Sequence, residues 1–174
     1  MDTEEMLEFG IKKENEERRD GGCAIVFDPV SQKYAVGEER DSGLFRLFSG
    51  GVNPHEDIQT GVLREVVEES GLYDFSYIEK IATAWTHFYN SLRKVNRLAL
   101  ATCFLVILKS TDLHEVQLEE HETFTLKWVS ASEIFSNWEA RNQNNDLDHW
   151  VYFLKKSLVR AKELGYDTVS PPFS

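Results

Sequence analysis

Gly50 to Leu72 reads GGVNPHEDIQTGVLREVVEESGL, and this stretch decides how the chain is read. Its fixed points are Gly50, Glu56, the pair Arg64-Glu65, the aliphatic Val66, the pair Glu68-Glu69, and Gly71-Leu72. Asp57 to Ser70 predicts a helix. Pro54 stands just before it, acidic residues mark its start, and Gly71 follows as a left-handed C-terminal cap. Ile58, Val62, Leu63 and Val66 recur at helical spacing and face a core. Glu65, Glu68 and Glu69 lie three and four residues apart, so their carboxylates gather on the opposite face.

Like charges this close repel, and the helix gains nothing from them alone. A hard divalent cation removes the conflict. Mg2+ takes oxygen ligands in octahedral geometry and keeps waters and substrate phosphates as the remainder. Arg64 is the cation within the acidic group, placed to orient Glu56 or Glu65 through a bidentate hydrogen bond. Gly50 and Gly51 mark backbone that comes close to a neighbour or adopts a positive φ. A lone E-x-x-E-E is ordinarily a solvated acidic face. Gly50, Glu56, Arg64, Gly71 and Leu72 in register weigh against that here.

The pattern G-x5-E-x7-R-E-U-x-E-E-x-G-U, with U aliphatic, resembles the Nudix box, and every fixed position is present. The resemblance to the Nudix hydrolase superfamily implies an α+β fold, an α/β/α sandwich around a mixed β-sheet. It implies Glu68 and Glu69 as main metal ligands, and Glu65 as a further ligand or the group that positions the attacking water. Arg64 and Glu56 become supports, and the Gly50 carbonyl joins the ligand set. Mg2+ is the expected cofactor, with Mn2+ as a substitute. The position before Glu56 is often glycine in the family; here it is His55, read as a loop residue with substrate contact as the alternative.

The 174 residues suit one domain with a sizeable core. Residues 1–20 form a charged N-terminal arm, open to reading as a short helix, an edge strand or a frayed segment; residues 21–174 form the single domain. The first twenty residues lack an apolar stretch of signal-peptide type, and no apolar run is long enough to span a membrane. Cys23 and Cys103 sit in apolar, strand-like runs and read as buried thiols. A cytoplasmic location is the default expectation. The net charge of -11 argues against duplex nucleic acid or an anionic membrane as main partner. It leaves small phosphorylated substrates open, because a metal inverts the local charge. A homodimer is compatible with the family, although no segment marks an interface.

CAIVFD after Gly21-Gly22 predicts a strand, as do Tyr34–Val36 and Leu44–Phe48. Phe75–Tyr89 and Arg97–Lys109 predict two more, joined by a polar hairpin; the second is apolar on both faces and belongs in the centre. Ser110–Thr123 reads as an acidic loop before a strand at Phe124–Val129. Ser130 and Glu133 form a capping-box pattern for a short helix. Asn142–Asn145 reads as a loop. Asp146–Leu164 predicts a second long helix with Leu147, Trp150, Val151, Leu154, Leu158 and Ala161 on one face. The tail from Thr168 to Ser174 reads as irregular.

Three groups outside the box are candidates. Glu119, Glu120 and Glu122 precede the strand ending in tryptophan, where Nudix enzymes often carry a further metal ligand or general base; Glu120 is favoured, then Glu122. Trp85, His87, Phe88 and Tyr89 offer surfaces for stacking a nucleobase, although Trp85 reads more readily as core. A tyrosine at about the distance of Tyr89 from the box is a feature of dinucleoside polyphosphate hydrolases in the family. Arg93, Lys94 and Arg97 form a basic patch for substrate phosphates, with Arg40 and Arg46 as further options.

The reading is a Mg2+-dependent pyrophosphohydrolase acting on a nucleoside diphosphate linked to another moiety, with nucleoside triphosphates or dinucleoside polyphosphates favoured. The alternatives are a non-catalytic module that senses a nucleotide or binds a protein, and an isomerase of isopentenyl diphosphate type, which needs a cysteine in a site loop.

Overall fold

The computed structural model describes residues 6–172. Of the charged N-terminal arm, residues 1–5 lie outside the described residues, as do Phe173 and Ser174 of the tail. The strands are β1 (Glu8–Phe9), β2 (Glu17–Arg18), β3 (Gly21–Asp28), β4 (Lys33–Glu39), β5 (Phe45–Arg46), β6 (Phe48–Gly51), β7 (Phe75–Asn90), β8 (Val95–Leu108) and β9 (Phe124–Val129). The helices are α1 (Ile58–Ser70), α2 (Ala131–Arg141) and α3 (Asp148–Glu163).

One mixed sheet runs β1-β7-β8-β3-β4-β5, with β2 on β8, β6 on β3 and β9 on β4. β3 and β8 pair in parallel, with Cys23 opposite Cys103, whereas β7 and β8 form a long antiparallel hairpin. The apolar content of β8 is explained by its place: from Thr102 to Leu108 every residue is buried. On one face α2 and α3 cover Ile25, Phe27, Leu105 and Ile107 through Ile134, Trp138, Phe153, Leu154 and Leu158. On the other, α1 covers Ala24, Val26, Phe104 and Val106 through Val62 and Val66. The result is the expected α/β/α sandwich.

The local signals held closely. Asp57 caps α1, accepting from the Thr60 amide, and Gly71 closes it at φ 83° in the left-handed region. Ser130 and Glu133 form the capping box of α2. Trp138 is fully buried, and its indole N–H donates to the Phe45 carbonyl at 2.7 Å. Asn142–Asn145 is mostly a single turn of 3-10 helix over Gln143–Asn145.

One expectation changes. The strand expected over Leu44–Phe48 breaks at Leu47 into β5, which pairs with β4, and β6, which pairs with β3. Of the three readings left open for the arm, residues 6–20 take the edge-strand one. β1 pairs in parallel with β7, and β2 pairs in parallel with β8, in line with β3. Among the described residues no helix is long and apolar enough to cross a membrane.

Candidate active site

α1 approaches the sheet at Gly22, where a Cβ would meet the Val62 side chain at 2.7 Å. β6 brings Gly50 beside the same helix, and a Cβ there would stand 2.4 Å from the Glu65 carboxyl carbon. Glycine at these positions lets the helix settle onto the backbone that leads into it. Gly50 does this by close approach, not by a positive φ.

Arg64 organises the acidic residues. Its Nε and Nη2 donate to both oxygens of Glu56, at 2.9 and 3.0 Å, forming the expected bidentate fork. Its Nη1 donates to Glu65 at 3.0 Å and to Glu68 at 3.2 Å. The fork holds the Glu56 carboxyl down at about 2. Gly61 leaves room for it, since a Cβ there would lie 2.9 Å from Glu56 Oε1.

Glu69 differs from the sequence reading. Instead of sharing a solvated face with Glu65 and Glu68, it is 5% exposed and turns towards the sheet, where the Ser49 amide donates to it at 2.8 Å. Burial raises its pKa to about 9, and the nearby Glu122 and Glu65 carboxylates add to that shift. Glu65 is raised as well, chiefly by burial, with Arg64 opposing and Glu68 and Glu122 reinforcing. Three carboxyl groups, Glu65, Glu69 and Glu122, thus crowd one another beside Gly50.

Glu122, the second choice in the loop before β9, is the one that lies near Glu65 and Glu69. Glu120 is exposed in the loop, whereas Glu122 is half-buried and anchored by accepting from the Glu119 amide at 2.9 Å. The turn from Glu119 to Glu122, closed by the Glu122 amide donating to the Glu119 carbonyl, points the fourth residue inward and leaves the second outside.

The candidate substrate residues divide. Arg46 lies over the Phe124 ring at 5.6 Å and pairs with Glu39 at 3.4 Å, on the sheet face that carries α1. Tyr89 is 52% exposed, with the Lys13 ammonium over its ring. His87 is not available for stacking: its Nε2 meets Glu8 and its Nδ1 meets Glu16 at 2.6 Å, a clasp that ties the arm to β7. Arg97 is paired with Glu17 of β2 at 3.1 Å, so it serves the same docking. Trp85 is only partly buried, and Arg18 stacks over it. Cys23 and Cys103 are buried on the α2 and α3 side, away from α1, and neither reaches a site loop.

The donor set suits a hard cation. Every candidate ligand is an oxygen, and burial disfavours the charged form of the Glu69 carboxyl, the form that a bound cation would favour. Among the described residues no three such side chains already enclose an ion. Arg64 spans Glu65 and Glu68 and so supplies the positive charge in this conformation.

Residues 18–151 match the family model of the NUDIX domain. The chain belongs to the NUDIX family. The NUDIX match begins inside β2, so residues 18–20 of the arm are part of the matched region. Nudix hydrolase 7 of Arabidopsis thaliana is 28% identical over 129 residues, covering 71% of this chain and 43% of that protein. The chain spans about half the length of the curated relatives it matches. A NUDIX-family structure from Listeria monocytogenes superposes with a TM-score of 0.62 at 20% identity, covering 86% of this chain and 99% of the other. The NUDIX domain of Shewanella oneidensis NrtR, complexed with ADP ribose, gives a TM-score of 0.53 at 17% identity, covering 70% and 78%. At these identities the structural likeness concerns the fold.

Proposed function

We propose that this chain is a Mg2+-dependent pyrophosphohydrolase that splits the phosphoanhydride of a nucleoside diphosphate linked to another moiety. One observation carries the reading: the buried Glu69 is crowded by Glu65 and Glu122 beside the Gly50 backbone, an arrangement that costs stability unless a cation joins it. Glu68, Glu69 and Glu65, with the Gly50 carbonyl, would hold the ion; Mn2+ offers the same preference for oxygen. Bound there, it would polarise the phosphate oxygens, lower the pKa of a bound water and neutralise the departing phosphate.

The chain's own groups do the rest. Glu65 or Glu122 accepts the proton of the attacking water as its oxygen bonds to phosphorus and the bridging P–O bond breaks. Arg64, anchored on Glu56, fixes the reach of Glu65 and Glu68. Arg46 lies on the same face as a phosphate contact. Nucleoside triphosphates and dinucleoside polyphosphates are the favoured substrates. ADP-ribose joins them because a NUDIX domain of this fold binds it.

The test is a panel of nucleoside triphosphates, oxidised nucleotides, dinucleoside polyphosphates, ADP-ribose and nucleotide sugars, each with Mg2+ and with Mn2+. Metal-dependent cleavage of at least one, abolished in Glu68→Gln and Glu69→Gln, is expected. No turnover of any substrate, or turnover retained in both variants, overturns the reading.

A further inference from the structure

The sheet face beneath α1 continues past the helix, and the side chains there take no part in the proposed hydrolysis. Strand alternation carries the face from Phe104 to Leu100 on β8, and Leu100 stands opposite Trp85 on β7. On the neighbouring strand the same alternation runs from Ala24 through Gly22, under Val62, to Asp20 and Arg18. Asp20 and Arg18 therefore lie two and four residues beyond the point where α1 presses on the sheet, roughly 7 and 13 Å along the strand.

These residues are built into one unit. Both oxygens of Asp20 accept from Arg18, at 3.1 and 3.0 Å, and Asp20 Oδ1 also accepts the Leu100 amide at 3.0 Å. The guanidinium is thereby fixed 5.1 Å from the centroid of the Trp85 ring, while 58% of the Arg18 side chain stays open to solvent. A core tryptophan has no need of a solvated arginine held over it by a third residue. Farther along, the face ends at an open cavity of about 680 Å3 lined by Leu98 and by the polar stretch Lys12, Lys13, Glu14, Asn15 and Glu16.

We infer that Arg18 and Trp85 form the platform that recognises a planar nucleobase on the substrate, and that Asp20 is the positioning residue that holds Arg18 in place. This rests on the proposed hydrolysis, because the platform lies on the sheet face that carries α1 and its carboxylates. Flat guanidinium and indole surfaces stack on any base, so the platform favours nucleotides over base-free diphosphates.

The experiment has two readouts. In the first, ADP-ribose is titrated into the full chain and tryptophan fluorescence is followed. Quenching in the wild type that disappears in Trp85→Leu is expected, whether or not the protein hydrolyses the ligand. In the second, kcat and KM are measured for a nucleotide substrate and for a ribosyl diphosphate without a base. Arg18→Ala and Trp85→Leu should raise KM for the nucleotide by roughly tenfold, leave its kcat within about threefold, and leave the base-free substrate unaffected. Asp20→Asn should fall between these variants and the wild type. Quenching unchanged in Trp85→Leu, or equal losses on both substrates in folded variants, overturns the inference. Absence of all hydrolysis alongside intact quenching counts against the proposed reaction and leaves the platform standing.

Discussion

Gly50 and Glu65 occupy space that no side chain on Gly50 would leave free: a Cβ there would stand 2.4 Å from the Glu65 carboxyl. Gly50→Ala should therefore push Glu65 aside without unfolding the sheet, because a carboxylate arm can swing. We expect kcat to fall on the order of 10- to 100-fold, with circular dichroism unchanged. Full activity in this variant would show that the contact is incidental.

The buried Glu69 carries a pH signature. Its folded pKa of about 9 lies above the unfolded value of 4.5, so between these limits the unfolded chain has released a proton that the folded one retains. Stability of the metal-free protein should then decline as pH rises from about 4.5 to about 9. Glu69→Gln should flatten that decline in thermal melts. Added Mg2+ should raise the melting temperature of the wild type more at pH 8 than at pH 5, and this pH difference should vanish in the variant.

His55 adopts a positive φ of 66°, a backbone region that glycine enters without strain. The glycine common at this position in the family thus has a conformational reason. His55→Gly should stabilise the fold by roughly 0.5–1 kcal/mol in denaturant titrations and leave kcat/KM unchanged. A large loss of activity would instead assign the imidazole to substrate.

The loop before β9 offers a paired test. Glu122→Gln should lower kcat by about a hundredfold, as removal of a proton acceptor or metal ligand does, whereas Glu120→Gln should stay within about twofold. The reverse order would mean that the loop turns over when substrate binds.

What the sequence disclosed was local. The box spacing, the Asp57 and Ser130 caps and the Gly71 terminus depend on neighbours a few residues away, and each was legible. What it concealed depends on strand register. His87 meets partners 71 and 79 residues distant, so nothing nearby showed that it clasps the arm instead of facing a ligand. The helical period placed Glu69 with the exposed acids, yet Val62, Val66 and Glu69 also fall at helical spacing, and the packing of α1 against β6 draws Glu69 inward. Glu122 was distinguishable from Glu120 only once the turn that closes on Glu119 was seen. Trp85 looked like core because alternate members of its strand fill the core; the arginine above it comes from a strand that the charge of the arm disguised.

The most direct test of the account is titration calorimetry of Mn2+ into the wild type, Glu68→Gln and Glu69→Gln, each with and without ADP-ribose. The account predicts measurable uptake by the wild type, strengthened by the nucleotide, and at least a tenfold weaker uptake in both variants. Equal uptake by all three proteins, or none by the wild type even with nucleotide present, would contradict it.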